Sequence, residues 1–265
     1  MAFGTIEFFS ACLMRTVRFR FICPNDVPPP MMQGNPHYER PAKTLYLLHG
    51  FSGASGDWLL GSRVSDYALE RNLNVILPDG ENSFYLDQDA AGRRYAEYVG
   101  KELVAYTRKL FSLSDRREDT YIGGLSMGGF GALHTALAFP ETFGAVFSLS
   151  GALIVHNVKN MTPGFTDMMA DYAYYRMTFG EPSRLVDSDN NPETLLLALL
   201  DGKKPLPRIY QAVGTEDFLY EENQILRRFL TDHGVPFTYE EGPGAHTFDF
   251  WDPYCRRALD WLLSS

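Results

Sequence analysis

With 265 residues, 45% of them apolar and 22% charged, the chain is long and apolar enough to bury a large core, which excludes a disordered polymer. A formal charge of −9 without a basic cluster speaks against nucleic acid, whose phosphates must be neutralised by Lys and Arg. Cys12, Cys23 and Cys255 have no C-x-x-C spacing, so neither a metal site nor a disulfide framework is expected; no apolar run is long enough to cross a membrane, and a reducing, cytoplasmic setting is expected.

The chain opens on "MAFGTIEFFSACLMR", which is apolar but lacks a basic leader and carries Glu7. It reads as a strand, not as a signal peptide. Two strands are predicted over 5–13 and 16–23, the second alternating apolar and basic residues as a half-exposed strand does. The proline-rich stretch 24–43 is a loop. After it come short apolar runs expected as buried parallel strands: "TLYLLH" (44–49), "LNVILP" (73–78), "TYIGG" (120–124), "AVFSLS" (145–150) and "RIYQAV" (208–213). Helical patterns lie between them over 64–71, 92–111, 127–139 and 221–233. A last strand over 237–241 precedes a closing helix over 250–263. Strands alternating with helices predict one α/β domain over 1–265, a mostly parallel twisted sheet of about eight strands with helices on both faces. The Met-, Tyr- and Phe-rich segment 153–200 breaks the rhythm. It is expected to form a small helical cap over the carboxyl ends of the strands, with packing on the body of the domain as the alternative for each of its aromatics.

Five glycines surround Ser126 in "TYIGGLSMGGFGAL", between a predicted strand and a predicted helix. Gly124-Leu125-Ser126-Met127-Gly128 matches G-x-S-x-G in the strand–turn–helix setting that gives the motif its meaning. Such a turn exposes the serine hydroxyl, and glycine two residues either side lets strand and helix approach. A plain glycine turn or phosphate cradle is the competing reading, but no G-K-[ST] follows. A serine nucleophile needs a histidine base and an orienting acid, in the chain order serine, acid, histidine. Of the six histidines, His37 and His49 come too early and His134 lies in the following helix. His156 precedes the acid candidates and His233 closes a helix, which leaves His246 in the loop "EGPGAHTF". Asp217, in "GTEDFL" after the 208–213 strand, is the acid, with Glu216 as its rival and a helix N-cap as its plainer role. Asp249 and Asp252 read as helix-start residues. The backbone N–H of Met127, and that of Phe51 after Gly50, are the expected oxyanion donors. His49 is expected to shape the loop. Trp58, Phe84 and Tyr85 are candidate walls of a substrate pocket, core packing being equally open for Trp58.

The blocks "LYLLHGFSG…DW", "PDGENSFY", "IGGLSMGGFGA", "GTEDFL" and "GAHTFDFW", in this order, resemble the putative-esterase family of α/β-hydrolases, which includes tributyrin esterases, S-formylglutathione hydrolases, and feruloyl and acetylxylan esterases. The resemblance covers nearly the whole chain and is strongest to tributyrin-type acyl esterases, partly through "YYRMTFGE". It implies an α/β-hydrolase fold and a serine carboxylesterase with Ser126 as nucleophile, Asp217 and His246 as its relay, and Phe51 and Met127 as oxyanion donors. No cofactor is implied. Short acyl esters are the expected substrates, with carbohydrate-linked esters, S-formylglutathione-type thioesters and an inert binding module as alternatives. Self-association of the chain is left open.

Overall fold

The computed structural model describes residues 1–88 and 90–264. Among them, eight strands form one sheet: β1 (Ala2–Ser10), β2 (Arg15–Cys23), β3 (Lys43–Leu48), β4 (Leu73–Pro78), β5 (Thr120–Leu125), β6 (Ala145–Leu149), β7 (Arg208–Gly214) and β8 (Phe237–Gly242). Their order across the sheet is β1-β2-β4-β3-β5-β6-β7-β8. Strand β2 pairs antiparallel with both of its neighbours, β1 and β4, and β3 through β8 all run parallel. The main helices are α1 (Val64–Glu70), α2 (Leu103–Phe111), α3 (Met127–Ala138), α4 (Tyr172–Phe179), α5 (Pro192–Asp201), α6 (Tyr220–Asp232) and α7 (Phe248–Leu263).

Alternation along the strands sorts the core into two layers, because successive side chains point to opposite faces. Tyr46 and Leu48 of β3 pack with α2, α3, α5 and α6. Leu45 and Leu47 of the same strand pack with α1 and α7. A strand buried on both sides reads as a continuous apolar run, which is why β3 and β4 carry no visible period in the sequence. From β3 the chain turns to β4 on one side, then crosses to β5 on the other. That reversal makes the carboxyl ends of β3 and β5 the place where a crevice opens.

Two predicted boundaries move. The first strand runs over Ala2–Ser10, not 5–13, since Ser10 pairs with Arg15 and residues 11–14 make the hairpin turn, Met14 taking a positive φ of 51°. Cys12 and Leu13 are buried in that turn, so their apolar character reports packing, not strand. The predicted helix over 92–111 starts only at Tyr95 and opens into a π turn over Tyr98–Glu102 before α2. There Gly100 lies against the ring of Phe139, an approach that a side chain would block.

The segment 153–200 forms short helical turns at Val155–Val158 and Pro182–Asp187 together with α4 and α5. Asp171 caps α4 by accepting from the Tyr174 N–H, and Asn191, followed by Pro192, caps α5.

His134 in α3 makes the fold acid-sensitive. Its Nε2–H donates to the Asp189 carbonyl at 2.9 Å, and burial pulls its pKa down to about 4. In the unfolded chain the imidazole titrates near its ordinary value of about 6.5. The stabilisation is therefore complete above that value and fades as pH falls toward 4, a loss on the order of 3 kcal/mol. The Tm of the wild type is expected to fall by roughly 6–12 °C more than that of His134→Gln between pH 6.5 and 4. Parallel curves for the two proteins would contradict this.

Candidate active site

Ser126 joins β5 to α3 with φ 54° and ψ −124°, a conformation strained for any residue but glycine. Four backbone hydrogen bonds hold it: its N–H donates to the Leu149 carbonyl at 2.9 Å, and its carbonyl accepts from the N–H groups of Gly129 and Ala152, each at 2.9 Å, and of Phe130 at 3.1 Å. The flanking glycines make the turn sterically feasible. A Cβ on Gly128 would lie 2.5 Å from the Leu48 carbonyl oxygen and 2.6 Å from that of His49, while one on Gly124 would run into the Gly128 carbonyl. Backbone oxygens of a buried sheet cannot move aside as a side chain can. Gly128→Ala is thus expected to cost about 3 kcal/mol, a fall in Tm of roughly 6–12 °C on thermal unfolding. An unchanged Tm would rule out the steric account.

The loop after β8 brings His246 to the same rim. Its Nε2 lies 2.9 Å from Ser126 Oγ, and its Nδ1 lies 2.9 Å from Asp217 Oδ2 and 3.0 Å from Oδ1. Phe218 and Trp251 flank the imidazole, with ring centroids 4.5 and 4.8 Å away. Asp217 follows β7, and its carboxylate is wholly buried. Burial alone raises a carboxyl's pKa, but hydrogen bonds from His246 and the Leu219 N–H outweigh it and hold Asp217 below the usual aspartate value. Glu216, the rival acid, turns away toward the Gly244 N–H and the Thr215 hydroxyl.

The loop after β3 closes the site from the other side. A Cβ on Gly50 would sit 2.8 Å from Leu125 Cδ1 and 3.4 Å from Ser126 Cβ, so this backbone passes close beside the serine. Phe51 and Met127 share a cavity with Ser126. Among the described residues, neither of their N–H groups has a backbone acceptor. His49 is held by its own loop: Nδ1–H donates to the Gly50 carbonyl at 2.7 Å, and Nε2 accepts from the Gly80 N–H at 2.9 Å. These two bonds fix the neutral tautomer, and burial pulls the pKa of His49 down as well.

Ser126 opens into a largely apolar cavity of about 170 Å³. Phe51 and Phe84 form one wall, and Phe218 and Leu219 line another part. The segment 153–200 supplies Ile154, Asn157, Met161, Asp167, Met169 and Tyr175. Sequence reasoning named none of these six; only the general expectation that this segment lies over the strand ends pointed to them. Phe218 had a signal, standing directly after Asp217. The Asp167 carboxylate is already occupied by the N–H groups of Met169 and Ala170 and the Tyr175 hydroxyl, each at 2.8 Å.

Two expected wall residues are corrected. Trp58 is fully buried on the α1–α7 face, its indole N–H donating to the Leu48 carbonyl at 2.9 Å and its ring set against Phe248. Tyr85 is equally buried beneath the site; its hydroxyl donates to the His49 carbonyl at 3.2 Å and its ring covers Gly131. Both are packing residues under the loops that shape the pocket. A larger cleft of about 670 Å³ opens beside α4, lined by Tyr172, Arg176, Glu181 and Arg184 among others. It contains none of Ser126, Asp217 and His246, so the chemistry belongs to the smaller cavity. Among the described residues, no three His, Cys, Asp or Glu side chains converge as a metal site.

The family model described as "Putative esterase" matches residues 15–254. An acetyl esterase of Caldicellulosiruptor saccharolyticus is 40% identical over 262 residues, covering 99% of this chain and 98% of that protein. Two solved structures from Staphylococcus aureus superpose over 99% of this chain and 98% of theirs. One is FphF, a fluorophosphonate-binding serine hydrolase, with a TM-score of 0.84 and 26% identity. The other is the S-formylglutathione hydrolase FrmB, with a TM-score of 0.82 and 28% identity. The eight-stranded architecture is the α/β-hydrolase fold of these neighbours.

Proposed function

The chain belongs to the Putative esterase family, and on that premise we propose that it is a serine carboxylesterase acting on short acyl esters through Ser126, His246 and Asp217. The observation that carries the proposal is the unbroken run of hydrogen bonds from Ser126 Oγ through the imidazole to the buried Asp217 carboxylate. His246 Nε2 takes the proton of Ser126 as Oγ attacks the acyl carbonyl. The resulting oxyanion accepts from the N–H groups of Phe51 and Met127, and the positive end of α3 adds to their effect. The tetrahedral adduct collapses, the alcohol leaves with the proton from His246, and the acyl group stays on Ser126. Water then repeats the sequence, giving its proton to His246 and releasing the acid. Asp217 keeps the proton on Nδ1, so that Nε2 stays free to accept.

An apolar cavity of about 170 Å³ suits a small acyl group of the acetyl to butyryl range, and the acetyl esterase relative supports the acetyl end of it. The segment 153–200 acts as a cap within a single domain over 1–265, since it supplies much of the cavity wall. Carbohydrate-linked acetyl esters fit the same chemistry, the sugar being the leaving alcohol. A second reading, thioester hydrolysis, rests on the similarity to the S-formylglutathione hydrolase. A cytoplasmic setting belongs to the proposal as well, supported by three free, buried cysteines.

The test is a kcat/KM series over p-nitrophenyl acetate, butyrate, octanoate and ferulate, with S-formylglutathione alongside, and labelling of Ser126 by a fluorophosphonate. The expected outcome is labelling at Ser126 with acetate and butyrate preferred. Absence of both turnover and labelling would leave an inert binding module, and dominance of S-formylglutathione would replace the ester reading with the thioester one.

A further inference from the structure

Asn82 stands outside the walls of the cavity into which Ser126 opens, yet it holds the loop that forms one side of that cavity. The loop after β4 carries the loop after β3 at three points. Asp79 Oδ1 accepts from the Ser55 N–H at 2.6 Å, the Gly80 N–H donates to His49 Nε2 at 2.9 Å, and Asn82 Oδ1 accepts from the Ser52 N–H at 2.7 Å. The last of these falls one residue past Phe51, inside a turn that the Gly53 N–H closes by donating to the Gly50 carbonyl at 3.1 Å. Ser52 is the third residue of that turn and takes a φ of 60°. Glycine adopts such a φ freely at this position of a type II turn, whereas a serine there is strained by on the order of 1 kcal/mol or more. A strained residue keeps its conformation only where its surroundings fix it, and Asn82 Oδ1 fixes Ser52.

The cap clamps Asn82 in turn. The Tyr174 hydroxyl on α4 donates to the Asn82 carbonyl at 2.7 Å. The Tyr174 ring also meets that of Phe51 edge-on, with centroids 5.7 Å apart and planes at 87°. Tyr174 therefore touches both Phe51 and the residue that holds the Phe51 turn.

We propose that Asn82 is a positioning residue for the oxyanion hole: its side chain locks the Gly50–Gly53 turn with the Phe51 N–H aimed at the reacting carbonyl, and Tyr174 ties this lock to the cap. This rests on the assignment of Ser126 and of the Phe51 N–H made above. An oxyanion donor contributes fully only when it is already in place as charge develops on the substrate oxygen. Without Asn82 the Ser52 peptide is free to rotate out of its strained conformation, and the Phe51 backbone shifts with it. The loss then falls on the transition state, because Asn82 does not line the cavity that holds the substrate.

The test measures kcat and KM on p-nitrophenyl acetate, counted per fluorophosphonate-titrated site, and the Ki of 1,1,1-trifluoroacetone, whose hemiketal oxyanion occupies the hole when the ketone adds to the serine. The proteins are the wild type, Asn82→Ala, Ser52→Gly, the two combined, Tyr174→Phe and Ser126→Ala. Asn82→Ala is expected to lower kcat about ten-fold with KM little changed, and to raise Ki by a similar factor. Adding Ser52→Gly is expected to restore most of both, because glycine holds the positive φ without help. Tyr174→Phe keeps the ring and removes the hydroxyl; about a three-fold change in kcat and Ki is expected, with the same signs. Wild-type kcat and Ki in Asn82→Ala, beside an inactive Ser126→Ala, would overturn the proposal and leave the triad standing. An equal loss with Ser52 or Gly at position 52 would overturn it too, since Asn82 would then act other than through the turn. An active Ser126→Ala would remove the proposal together with the reading beneath it. If Asn82→Ala does not fold, Tyr174→Phe decides by the same two readouts, wild-type values overturning the proposal.

Discussion

Replacing Ser126 by alanine is expected to lower kcat on p-nitrophenyl acetate by on the order of 10⁴-fold or more, with the folded state intact. The substitution removes one oxygen and leaves the Cβ, so the strained turn and its four backbone hydrogen bonds persist. What disappears is the only atom able to form the acyl-enzyme. Residual rate would come from the Phe51 and Met127 N–H groups acting on a water-attacked ester, which is why the loss is large but finite. Circular dichroism and Tm check the fold; fluorophosphonate labelling, expected to vanish, checks the chemistry. Near-native turnover in this variant would end the serine assignment.

Asp217→Asn should be nearly as severe, again on the order of 10⁴-fold in kcat, for a different reason. The carboxylate can only accept, so it requires the proton of His246 to sit on Nδ1 and leaves Nε2 basic toward Ser126. An asparagine amide can donate to Nδ1 instead, which shifts the proton to Nε2 and blocks transfer from the serine. A loss of 10⁴ corresponds to about 5.4 kcal/mol of transition-state stabilisation. The same substitution has a consequence for stability. Because the folded carboxyl titrates below the ordinary aspartate value of about 3.9, its contribution is complete above that pH and lost as pH falls through the lower folded value. The Tm difference between wild type and Asp217→Asn should hold constant from pH 8 to 5 and shrink in stronger acid. A kcat within about ten-fold of wild type would show that His246 does not depend on this carboxylate.

The parts of the molecule visible in the sequence are those governed by local rules. The serine turn is legible because its glycines answer a short-range steric demand between β5, α3 and the carbonyls after β3. The candidates His246 and Asp217 follow from their place after late strands, which chain order alone supplies. Ambiguity enters where an apolar residue has two homes. Trp58 and Tyr85 stand in the same loops as Gly50 and Phe84, and nothing in their spacing tells which side chain turns into the core and which toward the cavity. Cys12 and Leu13 lengthen the expected first strand because a buried turn and a strand use the same residues.

Chain order and local pattern suffice for the succession of strands and helices, the sharp turn at Ser126, and the supply of a base and an acid in the loops that follow. All of these rest on interactions between near neighbours along the chain, where periodicity and glycine sterics operate. Which rings wall the cavity, how far 153–200 reaches over Ser126, and that Trp251 donates to Ser150 become visible once the chain is folded. Ser150 and Trp251 are 101 positions apart. Such contacts follow from how helices settle on two faces of a twisted sheet, where packing, not local pattern, selects the direction of each side chain.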